Sequence, residues 1–374
     1  MATYYVRTPA NGGSDANAGT STSTAWATFG KAFSASGFTS GDTVYVEPGV
    51  YRETVTALNT SPTTRAYVIG DYNGAIFGTV GEVRLTSFTT SDDAAGSTTT
   101  LLNMNTRDNI TLRGIRFEGV GRCIDVNSGS TFIDVEDCVI VGQGSGAIAF
   151  TSASSTALNC NLRRCIIWGL SDAVLITPNL AGSNIVLNMN IENCMITATG
   201  NRGINFSSSG TAATASACTV EDCTIHAPTG IQSAASRYST SSGIQVLNTL
   251  FYLCTTGINA GTAGQISENF CRYAMCSTPT SNITTNGAQS NLVGNLSIDM
   301  GSAFLYDKTP RTPWYMPYVS GIIQGDGTAT GTPTNDIHGT TRPSPPSIGV
   351  SEITTLYTSS GLKTHPGMTG GIRG

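Results

Sequence analysis

Five short segments of this chain, at 132–140, 160–167, 189–196, 218–225 and 244–251, follow one residue plan. In each, apolar residues stand five and three places before an anchor position, and another follows two places after it. The anchors are Cys138, Cys165, Cys194, Cys223 and Thr249, and Ile115 extends the series one step earlier. A period of two is the pattern of a strand with one buried face. Successive anchors from Cys138 to Thr249 are 26 to 29 residues apart. That is the length of one coil of a solenoid, and too long for a hairpin.

A second motif, a small residue before an aliphatic one, recurs between the anchors at Ala147-Ile148, Ala173-Val174, Gly203-Ile204, Gly230-Ile231 and Gly257-Ile258. Each coil therefore holds at least two further strand positions. Gly114, Asp137, Asn193, Asp222 and Asn248 stand immediately before an anchor, and these residue types tolerate a left-handed backbone, so a tight corner is expected there. Arg164 departs from this pattern. The fold class that follows is all-β: a single-stranded parallel β-helix with a dry interior of stacked Cys, Ile, Val, Leu and Phe. About eight coils at ~4.8 Å would make a rod of about 40 Å. Past Thr249, Phe270 and Cys271 compete for the next anchor, and Leu296 is a candidate for the last.

Composition agrees with such a shaft. Only 11% of residues are charged, and 43 glycines serve the turns, which argues against a helical or disordered chain. A net charge of −5 and three lysines, Lys31, Lys308 and Lys363, give no basic footprint for nucleic acid. No run of eighteen apolar residues suggests a membrane span, and no secretion leader is visible after Met1. Seven of the ten cysteines lie in or beside the repeated strands, so they read as reduced thiols packed as small hydrophobes. No CxxC pair occurs, and no metal or other cofactor is expected.

The ends should be capped. Trp26, Phe29 and Phe33 share one face of a helix expected over 24–33 with Thr24 as its N-cap. An alternating strand over 41–51 would begin the first coil. The expected division is a cap and first coil at 1–56, coils at 57–300, a closing segment at 301–352 and an extended arm at 353–374.

The opening residues, Tyr4-Tyr5-Val6, Gly13-Ser14-Asp15, Ala25-Trp26-Ala27-Thr28, Gly41-Asp42-Thr43-Val44-Tyr45-Val46 and Pro48-Gly49-Val50-Tyr51-Arg52-Glu53, carry a resemblance. So do the closing residues Asp336-Ile337-His338-Gly339, Arg342-Pro343 and Ser347-Ile348-Gly349-Val350-Ser351-Glu352. Together they resemble the right-handed parallel β-helix proteins of the pectate-lyase-like superfamily, phage virion proteins among them. The resemblance implies the fold. It does not choose an activity, because that superfamily holds lyases, glycoside hydrolases, epimerases and tail spikes.

A lyase of this kind would need acidic residues around a base on adjacent coils. No lysine occurs between Lys31 and Lys308 to be that base. Hydrolysis needs a pair of carboxylates at a set separation. Asp172 resembles a polygalacturonase Asp-Asp strand, but the second aspartate and the Gly-His-Gly signature are missing. Asp125 and Asp134 fall on strands, Asp92-Asp93 in a polar loop, and Arg202 and Arg237 are the candidate arginines. His226 has no companion histidine and reads as a surface residue. No catalytic set is assigned, with Asp172, Asp125 and Arg202 kept as alternatives.

Alternation sorts the outward residues into columns. Before the corner they are Asp134, Asn161, Asn190, Thr219, Gln245 and Glu136, Arg163, Glu192, Glu221, Leu247, a wet face with a charge ladder. After it they are far more apolar: Val139, Ile166, Met195, Thr224 and Leu250 in one column, Val141, Trp168, Thr197, His226 and Tyr252 in the next. Such a patch should be covered. A loop or the C-terminal segment of the same chain, self-association as a homotrimer, or a sugar stacked on Trp168 and Tyr252 would each do so. The leading expectation is a non-enzymatic structural or adhesive β-helix on a virion surface. It would contact other virion proteins through its C-terminal arm, and a cell-surface glycan. A polysaccharide lyase or glycoside hydrolase acting on acidic glycans, and a carbohydrate-binding module, are the alternatives.

Overall fold

The computed structural model describes residues 1–89, 96–127, 131–152, 158–180, 186–207, 209–210, 215–233, 243–285, 334–335, 341–342 and 344. Its strands form three parallel sheets, and consecutive strands along the chain pass from one sheet to the next. One coil shows the plan. Ile133–Glu136 lies in the first sheet, Val139–Gly142 in the second and Ile148–Ser152 in the third. Each strand pairs in parallel with its counterparts one coil up and one coil down. The protein is therefore a right-handed single-stranded parallel β-helix. Eleven strands stand in line in the first sheet, about 48 Å at ~4.8 Å per step, so the shaft is longer than eight coils.

The interior is a set of ladders. Ile110, Ile133, Cys160, Met189, Cys218, Ile244 and Ile266 stack in the first sheet, all buried. In the second, Phe117, Ile140, Ile167, Ile196, Ile225 and Phe251 do the same. The corner column Ile115, Cys138, Cys165, Cys194, Cys223 and Thr249 is buried, and Cys271, not Phe270, continues it. All ten cysteines are free and buried. The Cys165 thiol reaches the carbonyl oxygen of Val135 in the coil before, at 3.3 Å, and that of Cys194 reaches Leu162. An acidic residue enters the ladders as well: Glu268 occupies the inward position after Val246, with the Tyr273 hydroxyl donating to its carboxylate. Alternation alone places Glu268 there.

The corners explain their own residue types. Gly114, Asp137, Arg164, Asn193, Asp222, Asn248 and Phe270 all have φ between 45° and 67°. Arg164 shares the corner geometry despite its unfavoured type. Its guanidinium forks onto the Asp137 carboxylate one coil below, at 2.8 and 3.1 Å, and this charge-assisted pair offsets the backbone cost.

At the recurring small residues the next coil leaves no room. A Cβ on Gly230 would stand 2.5 Å from the Gly257 carbonyl oxygen and 2.5 Å from the Phe251 ring. Gly230→Ala should cost about 1–3 kcal/mol through overpacking. A lowered urea midpoint with unchanged slope is the expected reading, and an unshifted midpoint would contradict it.

The cap differs from the expected helix. Only Phe29–Ala32 is helical, with Thr28 as its N-cap, while a separate 3-10 turn, Thr22–Thr24, is capped by Ser21. Trp26 is extended between them, bridged to Val6 and stacked on Tyr4 at 4.7 Å. Aspartate and glutamate from outside the turn fix this path: Asp15 accepts from the Ala27 and Thr28 amides, and Glu53 from those of Phe29 and Gly30. Leu296, the arm 353–374 and most of the closing segment lie outside the described residues.

Candidate functional site

The first and third sheets each present a polar outer face. On the third, Asn103, Asp125, Ala149, Leu175, Asn205, Gln232 and Asn259 form one outward column. Asp125 accepts from Arg122 at 2.8 Å and from Asn127 at 3.2 Å. Asp172 is buried, with Asn205 at 2.9 Å and Arg202 at 3.5 Å. The two carboxylates are not brought together, because Asp172 stands two coils above Asp125 and three residues out of strand register. Two coils alone amount to about 10 Å, beyond the separations of about 5–9.5 Å at which a carboxylate pair hydrolyses a glycoside. Each aspartate has its own arginine. Arg237 and Asp92-Asp93 lie outside the described residues.

On the first sheet the register pairs Asp134 with Asn161, Asn190, Thr219 and Gln245, and Glu136 with Arg163, Glu192, Glu221 and Leu247. Arg163 bridges Glu136 at 3.5 Å and Glu192 at 3.4 Å. Beside these columns lies a groove of about 300 Å³ lined by Arg65, Phe132, Asn159, Asn161, Asn188 and Asn190. Its asparagines are linked along the shaft. Asn188 donates to Asn159 and Asn161 to Asp134, each at 2.6 Å. Arg65 closes one side, 3.3 Å from the Asp134 carboxylate and 2.5 Å from the Phe132 carbonyl oxygen.

Phe132 is the unexpected member. It has φ 57° and is 44% exposed. The matching position one coil earlier is Asn109, φ 53°, a residue type suited to that backbone. Bulky left-handed residues recur in this fold, among them Leu253, Phe270 and Met275 at φ 51° to 56°, so what sets Phe132 apart is its place on the groove, not its backbone angle. The sequence signal was present, a Phe immediately before the inward Ile133, but it reads as strand until the corner is seen.

The apolar outer face of the second sheet, expected to be covered, is largely buried within one chain. Val141, Met195, Leu250 and Tyr252 are buried, and Val139, Ile166 and Trp168 are half-buried. Tyr252, 7% exposed, offers no stacking surface. His226 is half-buried, its ring 6.0 Å from that of Tyr252, and burial lowers its pKa.

At the corner between the first and second sheets, Asn335 and Arg342 of the closing segment meet the shaft. Asn193 donates to the Asn335 carbonyl oxygen at 2.8 Å and accepts from Arg342 at 2.6 Å, while Arg342 also lies 3.5 Å from Asp222. Burial, with Asp222 and Glu192 nearby, pushes the neighbouring Glu221 carboxyl up to about 8, against an opposing pull from Arg342. A carboxyl raised in the folded state contributes stability fully present below its unfolded pKa of about 4.3 and lost as pH rises through the folded value. Melting temperature should therefore fall between pH ~5 and pH ~8, with a shallower fall in Glu221→Gln. An identical profile in the variant would contradict this.

Among the described residues no group of His, Cys, Asp and Glu is placed to hold a metal, and no helix is long and apolar enough to cross a membrane. The sequence matches no family model and no curated protein. The structure does match solved ones. A pectate lyase superposes with TM-score 0.59 at 14% identity, covering 94% of this chain and 96% of its own.

The fold is the pectate-lyase-like parallel β-helix.

A protein designated XylC, solved with xylose, gives 0.53 at 13% identity over 77% of this chain and 68% of its own. A rhamnogalacturonan lyase gives 0.51 at 12% identity, over 84% and 94%. At these identities the pectate-lyase-like match speaks for the fold alone.

Proposed function

We propose that this protein is a carbohydrate-contacting β-helix that holds a glycan in the first-sheet groove without cleaving it. The observation that carries the reading is the exposed Phe132 on a groove lined by four asparagines. An aromatic face with convergent amides is what sugar recognition needs: C–H faces on the ring, hydroxyls on donors and acceptors. The structural neighbours named for pectate, rhamnogalacturonan and xylose support a carbohydrate ligand. The separate, arginine-paired Asp125 and Asp172 support binding without turnover.

The test is glycan-array binding by the full chain, followed by calorimetry on the best ligand. Phe132→Asn keeps a residue suited to the corner and should weaken binding about tenfold, near 1.4 kcal/mol, without lowering the melting temperature. Unchanged affinity would remove the groove from consideration.

The finer reading is an adhesive component of a phage particle, built as a homotrimer, at the virion surface. It goes naturally with a shaft that binds and does not cut. Light scattering on the purified chain tests the trimer, and a clean monomer counts against it. The rival, a lyase or hydrolase, is favoured by one feature: Asp172 Oδ1 is buried without a hydrogen-bond partner. Release of oligosaccharides, abolished in Asp172→Asn, would establish it.

A further inference from the structure

We infer that the glycan held in this groove is uncharged. The inference rests on the binding role proposed above and narrows its ligand. Among the described residues lining the groove Arg65 is the one cation, and its charge is already matched by Asp134 at 3.3 Å, with the Phe132 carbonyl oxygen taking the same guanidinium nitrogen. A guanidinium committed in this way is a poor clamp for a uronate carboxylate, which it would have to share with an aspartate. The neighbouring column holds Arg113, Glu136, Arg163, Glu192 and Glu221, and its cations are committed as well, Arg113 to Asp137 at 3.0 Å and Arg163 to Glu136 and Glu192. Among the described residues beside the groove, a uronate carboxylate therefore meets only guanidinium groups that already hold a carboxylate.

What the groove does offer is neutral. Asn188 Nδ2 is spent on Asn159 Oδ1, and Asn161 Nδ2 on Asp134 Oδ1. That leaves the Asn159 amide nitrogen as donor and the Asn161 and Asn188 amide oxygens as acceptors toward the groove, with side chains that are only partly buried. Donors and acceptors alternating over adjacent coils suit sugar hydroxyls, each of which both gives and takes a hydrogen bond. Asn159 and Asn188 stand one coil apart, ~4.8 Å, so a glycan lying along the shaft meets an amide on each of two coils.

Calorimetry with the full chain distinguishes the outcomes. The probes are neutral oligomers of hexose and of N-acetylhexosamine, and oligogalacturonates of matched length, at low and high salt. The inference expects binding of a neutral oligomer with affinity changing less than about twofold with salt, weakened about tenfold in Asn161→Ala and in Asn188→Ala. Tighter binding of oligogalacturonate, falling as salt rises, would overturn the inference while leaving glycan binding in the groove intact. Binding by none of the probes or of a wider glycan array would overturn the proposed function, and this inference with it.

Discussion

Cys194→Asp is expected to abolish cooperative folding, whereas Cys194→Ala leaves a folded chain weakened by about 1–2 kcal/mol. The Cys194 thiol is fully buried and faces the carbonyl oxygens of Leu162 and Glu192, at 3.6 and 3.3 Å, between the thiols of Cys165 and Cys223. A carboxylate there would meet only acceptors. It could neither ionise in the dry shaft nor, when protonated, satisfy both oxygens, and the cost of several kcal/mol is comparable with the whole stability of a domain. Circular dichroism with a urea titration separates the two variants. A second readout uses the thiols themselves: burial pushes Cys138, Cys165 and Cys194 well up from the ordinary thiol range. They should be inert to a thiol reagent in the native protein and react only with unfolding. A folded Cys194→Asp, or rapid native labelling of these positions, would refute the buried ladder.

The shaft was legible because its physics is periodic. Burial of every second side chain, a left-handed residue at each corner and one coil per 26 to 29 residues all repeat, so five copies of one signal average out local exceptions such as Arg164. The non-repeating parts were not legible in that way. The cap helix shrank to Phe29–Ala32 because Glu53, 24 residues from Phe29, accepts the Phe29 amide, and no local pattern encodes that partner. Phe132 shows the same limit at the candidate site. Next to Ile133 it looks like one more strand residue, and only the φ it shares with Asn109 turns it outward beside the asparagines. The outward columns of the first sheet follow from alternation, yet the groove beside them also needs Arg65, contributed from about 70 residues before Asp134 by the coil geometry. The apolar outer face of the second sheet was visible in sequence, but its burial depends on contacts that alternation does not carry.

Arg342→Ala should release the closing segment from the shaft and cost about 3–5 kcal/mol, the usual effect of breaking a buried ion pair from one side. Its side chain is 2% exposed and that of Asp222 is 0% exposed. The guanidinium spans two coils at once, donating to Asn193 and lying 3.5 Å from Asp222, while the Arg342 amide donates to Thr334. Asn335, bridged antiparallel to Thr341, adds the acceptor for Asn193. Residues some 150 positions downstream in sequence are thus held to the corner through Arg342 and Asn335. Arg342→Lys keeps the charge but cannot reach both corner residues with a planar fork, so it should recover only part of the loss. Limited proteolysis reads the docking directly: cleavage near 334–342 should speed up in Arg342→Ala, and less so in Arg342→Lys, while cleavage within the coils is unchanged. Equal cleavage rates in all three proteins would mean that contacts other than this cation seat the segment.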